Sequence, residues 1–227
     1  MVKAGIDQDA ITALFSQASA RQGARLRNAV TAATLKALQG RELTLESIRR
    51  VLKAVALATS AGVALHKARP AALEAMLMRS VEGMDAALAK AVDANRTALR
   101  QFMDLGVGVQ SEQMKLALGN LEKFEEVFLS VLGKVAQIAV APLDGPWQHV
   151  FEALRTKGTN SGAQAHQVVE QLLEQSHAAL RKGRAANVRA AQAMMDSYAS
   201  LVSGVLLGMS EGIAASGKSA VARAPRK

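Results

Sequence analysis

The sequence contains no cysteine and has few prolines and few aromatic residues. Without cysteine it can form no disulfide framework, no thiol nucleophile and no cysteine-ligated zinc site. Aromatic residues make up only 3% of the chain, which is little for a compact core built on large side chains. The prolines leave three long proline-free runs between them and stand at Pro70, Pro142, Pro146 and Pro225. These absences exclude a disulfide-stabilised domain and are typical of long helices.

Alanine, in contrast, is abundant and accounts for 45 of the 227 positions. Alanine is the best helix former, whereas proline costs about 3 kcal/mol inside a helix. We therefore predict an all-α fold, an elongated bundle of about five or six long helices. The predicted single domain covers residues 1–217, with helices near 7–39, 45–68, 70–105, 112–140, 146–157 and 163–216. A basic, disordered tail is expected over residues 218–227.

Long uncharged hydrophobic runs are also missing. The longest stretch without charge extends over 14 residues from Ser197 to Ser210, short of the roughly 20 that a membrane-spanning helix needs. The first ten residues have no apolar segment and include Asp7 and Asp9, which is not typical of a secretory signal. We expect a cytoplasmic protein, with association to a granule or membrane as a further option.

Large apolar residues recur at alternating spacings of three and four in two places, forming heptad seams. The first seam comprises Leu121, Phe124, Phe128, Val131, Val135 and Ile138. The second comprises Val188, Met195, Tyr198, Val202 and Val205. We predict that both seams pack helices in a coiled-coil-like manner, either within the bundle or between copies in a homo-oligomer.

Small residues follow a four-residue period in the last predicted helix, where they form a glycine strip of Gly204, Gly208 and Gly212. Such a strip lets another backbone approach closely. Tight packing inside the bundle is the favoured interpretation, ahead of a helix dipping into a lipid or polymer surface and of a true membrane span. Residues 212–219 also satisfy the pattern G-x-x-x-x-G-K-[ST], but the preceding strand that a phosphate loop requires is not predicted.

The formal net charge of +9 is concentrated towards the two ends of the chain. The densest basic cluster consists of Arg181, Lys182, Arg184 and Arg189. We interpret it as a solvated helix face, with contact to an anionic surface as the main alternative. Nucleic acid is disfavoured because the basic ends lack aromatic residues on which bases could stack.

No pattern of catalytic residues is found in the sequence. No two of the four histidines are three or four residues apart, and no Gly-x-Ser-x-Gly occurs. We therefore expect no enzymatic activity, metal, cofactor or small-molecule substrate. The only tryptophan, Trp147, follows the turn at residues 142–146, and we expect it to anchor this turn against a pair of helices.

Four stretches carry a resemblance to an uncharacterised group of alanine-rich helical bacterial proteins. They are residues 34–38 (Thr-Leu-Lys-Ala-Leu), residues 41–48 (Arg-Glu-Leu-Thr-Leu-Glu-Ser-Ile), residues 121–129 (Leu-Glu-Lys-Phe-Glu-Glu-Val-Phe-Leu) and the glycine-spaced C-terminal helix. More loosely, the chain resembles the phasins, amphipathic helical proteins that coat polyhydroxyalkanoate granules. This resemblance implies association with a polyester granule, and none of its motifs is catalytic.

The main hypothesis from the sequence is a non-enzymatic protein whose amphipathic helices coat or bind an apolar or anionic surface, such as a granule, a lipid or a membrane surface. The first alternative is a structural scaffold that oligomerises through the two seams. The second is nonspecific nucleic-acid binding through the basic ends.

Overall fold

The computed structural model describes residues 12–13, 23–39, 42–105, 107, 111–181 and 198–209, and within these ranges the chain is helical with no strand. The helices are α1 (Gly23–Leu38), α2 (Leu45–Ala64), α3 (Pro70–Asp104), α4 (Glu112–Glu122), α5 (Phe124–Ile138), α6 (Asp144–Lys157) and α7 (Asn160–Arg181). Residues 12–13 and 198–209 are also helical, and we call the latter the C-terminal segment. The predicted all-α class is confirmed for the described part of the chain.

Local signals explain where several helices begin and end. The Thr44 hydroxyl accepts a hydrogen bond from the Ser47 backbone N–H at 3.1 Å and so caps α2. Pro70 opens α3, where its missing N–H has no cost. The prediction that the second helix extends to residue 68 is wrong. It ends at Ala64, where the Leu65 N–H turns back to the Gly62 carbonyl. Arg69, the residue before Pro70, is extended, so the chain cannot continue as one helix into α3.

Helix α3, with 35 residues, is the central element of the core. It contacts α1, α2, α4, α6 and α7. Its buried face combines large residues with alanines that have no exposed surface, namely Ala87, Ala91, Ala94 and Ala98. Small side chains at these positions allow neighbouring helices to lie close to α3. The alanine content is thus used for close packing as well as for helix formation.

The helix predicted over residues 112–140 is two helices, α4 and α5. The chain bends at Lys123, which has φ −82° and ψ −3° and separates the last residue of α4 from the first of α5. The heptad spacing continues across this bend, since Leu121 and Phe124 on its two sides are both buried. The prediction of one continuous helix was wrong. A short break at one residue leaves the spacing of the apolar residues unchanged, so this spacing cannot indicate the break.

Helix α7 begins at Asn160 rather than at the predicted residue 163. Two carboxylates from other helices satisfy its free N–H groups. Asp85 of α3 accepts from the backbone N–H groups of Asn160 and Ser161, each at 2.9 Å. Glu125 of α5 accepts from the Thr159 N–H at 2.7 Å. The negative charges also favour the positive end of the helix dipole, so they extend α7 into a Gly-Thr-Asn-Ser-Gly stretch that by itself predicts a loop.

The C-terminal segment packs on α3 and on the connection between α1 and α2. The Tyr198 hydroxyl donates to Asn95 Oδ1 at 2.6 Å, and its ring lies 6.1 Å from that of Phe102, centroid to centroid. The Leu43 backbone N–H donates to the Ala199 carbonyl at 3.3 Å. Part of the predicted helix over residues 163–216 lies outside the described residues, as does the predicted tail at 218–227.

Because Tyr198 is the only tyrosine, its ionisation can be followed selectively. Burial raises its pKa well above the ordinary value near 10. The protonated phenol therefore contributes stability that is complete below pH ~10 and is lost as pH rises above it. We expect the tyrosinate absorbance of the native protein to appear only together with loss of helical circular dichroism. The urea-unfolded chain, as control, should titrate near 10, and reversible ionisation at that pH in the folded protein would contradict the burial.

Candidate functional site: an apolar groove with a basic end

Five of the six residues of the first predicted seam are buried in the described chain. Its buried members have at most 4% of their surface exposed and are Leu121, Phe124, Phe128, Val131 and Val135. They pack against α2, α6 and α7 of the same chain. In the second seam, Val202 has no exposed surface, and Tyr198 and Val205 pack against the core, while Val188 and Met195 lie outside the described residues. The described seam residues thus mainly build the core of one chain.

Ile138 is the exception, since 62% of its surface is exposed. Ile138 therefore does not pack within the described chain, and its packing against a second copy stays a prediction. The residues beside it on α2 are Ala61 and Ala64, whose side chains are too short to cover an isoleucine. The exposed end of the first seam therefore opens into a groove.

This groove runs between α2 and α5. One part of it has a volume of about 360 Å³ and reaches from Arg49 and Lys53 on α2 to Lys134 on α5. A second part, of about 230 Å³, continues past Leu57 and Ser60. Val135 and Ile138 line both parts, so the two parts adjoin at these residues.

The two ends of the groove differ in character. The first end has three exposed cations, Arg49, Lys53 and Lys134, and no carboxylate among its lining residues. Within the described ranges, no ion pair occupies any of these three cations. The other end is lined by alanines and by Val140, which is 75% exposed. Leu65, 64% exposed, directly follows Ala64 there. The arrangement can receive an apolar group at one end and an anionic group at the other.

Trp147 is linked to the groove through Ser60, which lines it. It lies in the first turn of α6, has no exposed surface, and its indole N–H donates to the Ser60 hydroxyl at 2.9 Å. Ser60 in turn donates to the Ala56 carbonyl at 3.0 Å. The expectation that Trp147 anchors its turn against neighbouring helices is confirmed. Since Ser60 also lines the groove, this tryptophan can report on what binds there.

A family model matches residues 1–215, which include the groove and the C-terminal segment. The chain belongs to this family of unknown function, DUF6781. Neither a curated protein nor a solved structure matches the chain.

The two described glycines of the predicted glycine strip have no other described helix beside them. Gly204 and Gly208 are exposed, and no atom of another described helix lies within 4 Å of where a Cβ would stand. Gly212 lies outside the described residues. The described structure therefore shows no close backbone contact at the strip. Most of the predicted basic cluster also lies outside the described residues. Arg181 is the last residue of α7, and Lys182, Arg184 and Arg189 are not described.

The sequence did not lead us to predict the three groove cations as binding residues, although one feature of the sequence pointed to two of them. Arg49 and Lys53 are four residues apart on one helix, where like charges destabilise by a few tenths of a kcal/mol. Helix stability alone does not explain such a pair. Lys134 carried no comparable signal, because its place beside Lys53 depends on how α5 packs on α2.

No helix in the described ranges is long and apolar enough to cross a membrane. Nor do those ranges bring together three or more residues that could ligate a metal ion. The groove is the feature of the described chain on which a functional argument can be built.

Proposed function

We propose that the protein binds the apolar, anionic surface of a granule or membrane without catalysing a reaction, and that the α2–α5 face is the contact. The observation that carries this proposal is that exposed Ile138 and Val140 lie along one groove with three cations that have no ion pair in the described part of the chain. Burying an isoleucine side chain contributes about 1.5–3 kcal/mol. Basic residues add attraction to anionic headgroups. The proposal agrees with the resemblance to phasins.

The scaffold alternative receives less support. It requires apolar seams that are free to meet a second copy, whereas the described seam residues, apart from Ile138, are used within one chain. The nucleic-acid alternative rests on basic ends that lie largely outside the described residues. Neither has a specific contact in its favour.

Flotation with lipid vesicles and with polyester particles tests the proposed function. We expect the protein to float with vesicles containing anionic lipid at low salt, and less with neutral ones. Ile138→Asp should weaken binding by about tenfold or more, because it removes an apolar side chain that the surface would bury and adds a charge that anionic headgroups repel. The matched control is Leu116→Asp on α4, a similarly exposed residue (67%) outside the groove, which should bind normally. Absence of flotation at low salt would refute the proposal.

A further inference from the structure

The groove is polarised along its length, which a general membrane-contacting face does not require. From Arg49 to Ala64 the helix axis of α2 extends about 22 Å at 1.5 Å per residue. The acyl chains of one bilayer leaflet span about half of the ~30 Å hydrocarbon core. The groove is therefore long enough for one extended acyl chain.

We propose that this groove binds one fatty acid anion, with its carboxylate among Arg49, Lys53 and Lys134 and its acyl chain along Ala61, Ala64 and Ile138. The inference rests on the proposed function and gives it a ligand class. The charge complementarity is specific, since three cations face the groove and no lining residue is acidic. The combined volume lies in the range of small-molecule sites, and the groove follows a single inter-helix furrow, which suits one chain better than the two of a phospholipid.

Other occupants fit this charge pattern less well. The terminal stretch at residues 218–227 carries Lys218, Arg223, Arg226 and Lys227 and no acid, so the basic end of the groove would repel it. A second copy paired groove to groove would bring its own Arg49, Lys53 and Lys134 towards the same three cations. A nucleic acid would match the cations but leave the alanine-lined end unfilled, and no aromatic residue lines the groove for base stacking.

Binding of dodecanoate, measured by calorimetry and Trp147 fluorescence below its critical micelle concentration, tests the inference with the full chain. We expect saturable binding at one site per chain and a change in Trp147 emission through Ser60. Dodecyltrimethylammonium, with the same chain and the opposite charge, should bind at least tenfold more weakly. Equal binding of the two amphiphiles would overturn the assignment of the basic end.

Two groove variants complete the test. Lys53→Glu with Lys134→Glu should weaken dodecanoate binding at least tenfold, whereas Lys36→Glu with Lys157→Glu, exposed cations outside the groove, should not. Ala61→Phe should block the apolar end and abolish binding, whereas Ala75→Phe on the exposed face of α3 should leave it unchanged. Circular dichroism checks that each variant is folded.

Flotation of the same variants separates the two proposals. Because Ala61→Phe adds apolar surface, it should still float with anionic vesicles while failing to bind dodecanoate. Flotation of the native protein without saturable dodecanoate binding would overturn the groove assignment and leave the proposed function standing. Dodecanoate binding without flotation would do the reverse. An oligonucleotide that displaces dodecanoate, or a dimer that forms through the groove in place of binding, would also overturn the inference.

Discussion

Phe128→Asp is expected to unfold the protein, whereas Ile138→Asp, in the same predicted seam, should leave its stability nearly unchanged. Phe128 has no exposed surface, and truncating such a residue to alanine already costs about 3–5 kcal/mol. A buried carboxylate adds a desolvation penalty for which no partner is provided. Since small proteins are stable by only about 5–15 kcal/mol, the sum is enough to remove most of the folded population. Ile138 is largely exposed, so its replacement should change stability by no more than about 0.5 kcal/mol.

The measurement is urea unfolding followed by circular dichroism, with light scattering in parallel. If the seam joined copies of the chain, as the scaffold hypothesis requires, Phe128→Asp would yield smaller assemblies that stay helical. A folded, helical Phe128→Asp monomer would therefore contradict its burial within the chain. The control also connects to function, because Ile138→Asp should fold normally and still lose surface binding.

The comparison of these two residues shows what the sequence could reveal about the fold. Helix-forming composition and apolar spacing are local properties, and they sufficed to predict the helical class and most of α3. A heptad pattern marks which residues share a face, but it does not say how far the neighbouring helix covers that face. Phe128 and Ile138 both belong to this pattern, but Ile138 is the last residue of its helix and has only the alanines of α2 beside it.

Long-range polar contacts were beyond prediction for a related reason. Asp85 and Glu125 lie 75 and 34 residues before the helix end that they cap, and nothing in their own neighbourhoods indicates this role. The groove has the same origin, since Lys134 meets Arg49 and Lys53 only because α5 packs on α2. Sites formed between helices depend on packing, which the periodicity of a single helix does not encode.

Among the described glycines, Gly83 is the one at which a neighbouring backbone approaches closely. A Cβ there would stand 2.6 Å from the Arg27 carbonyl oxygen and 2.9 Å from Val30 Cβ, both in α1. The Thr31 hydroxyl also donates to the Gly83 carbonyl at 3.0 Å, which ties the two helices together at this point. Because a backbone atom cannot move aside as a flexible side chain can, any larger residue must push α1 away from α3.

We therefore expect Gly83→Ala to lower the free energy of unfolding by about 1–3 kcal/mol despite the better helix propensity of alanine. Gly119→Ala and Gly204→Ala are matched controls, since both glycines are helical and no atom of another described helix lies within 4 Å of their Cβ positions. These controls should raise stability by up to about 1 kcal/mol in urea unfolding. A loss of stability in Gly204→Ala would show that the glycine strip has a close neighbour after all. Gains at Gly204 and losses at Gly83 would place the close helix crossing of this fold between α1 and α3.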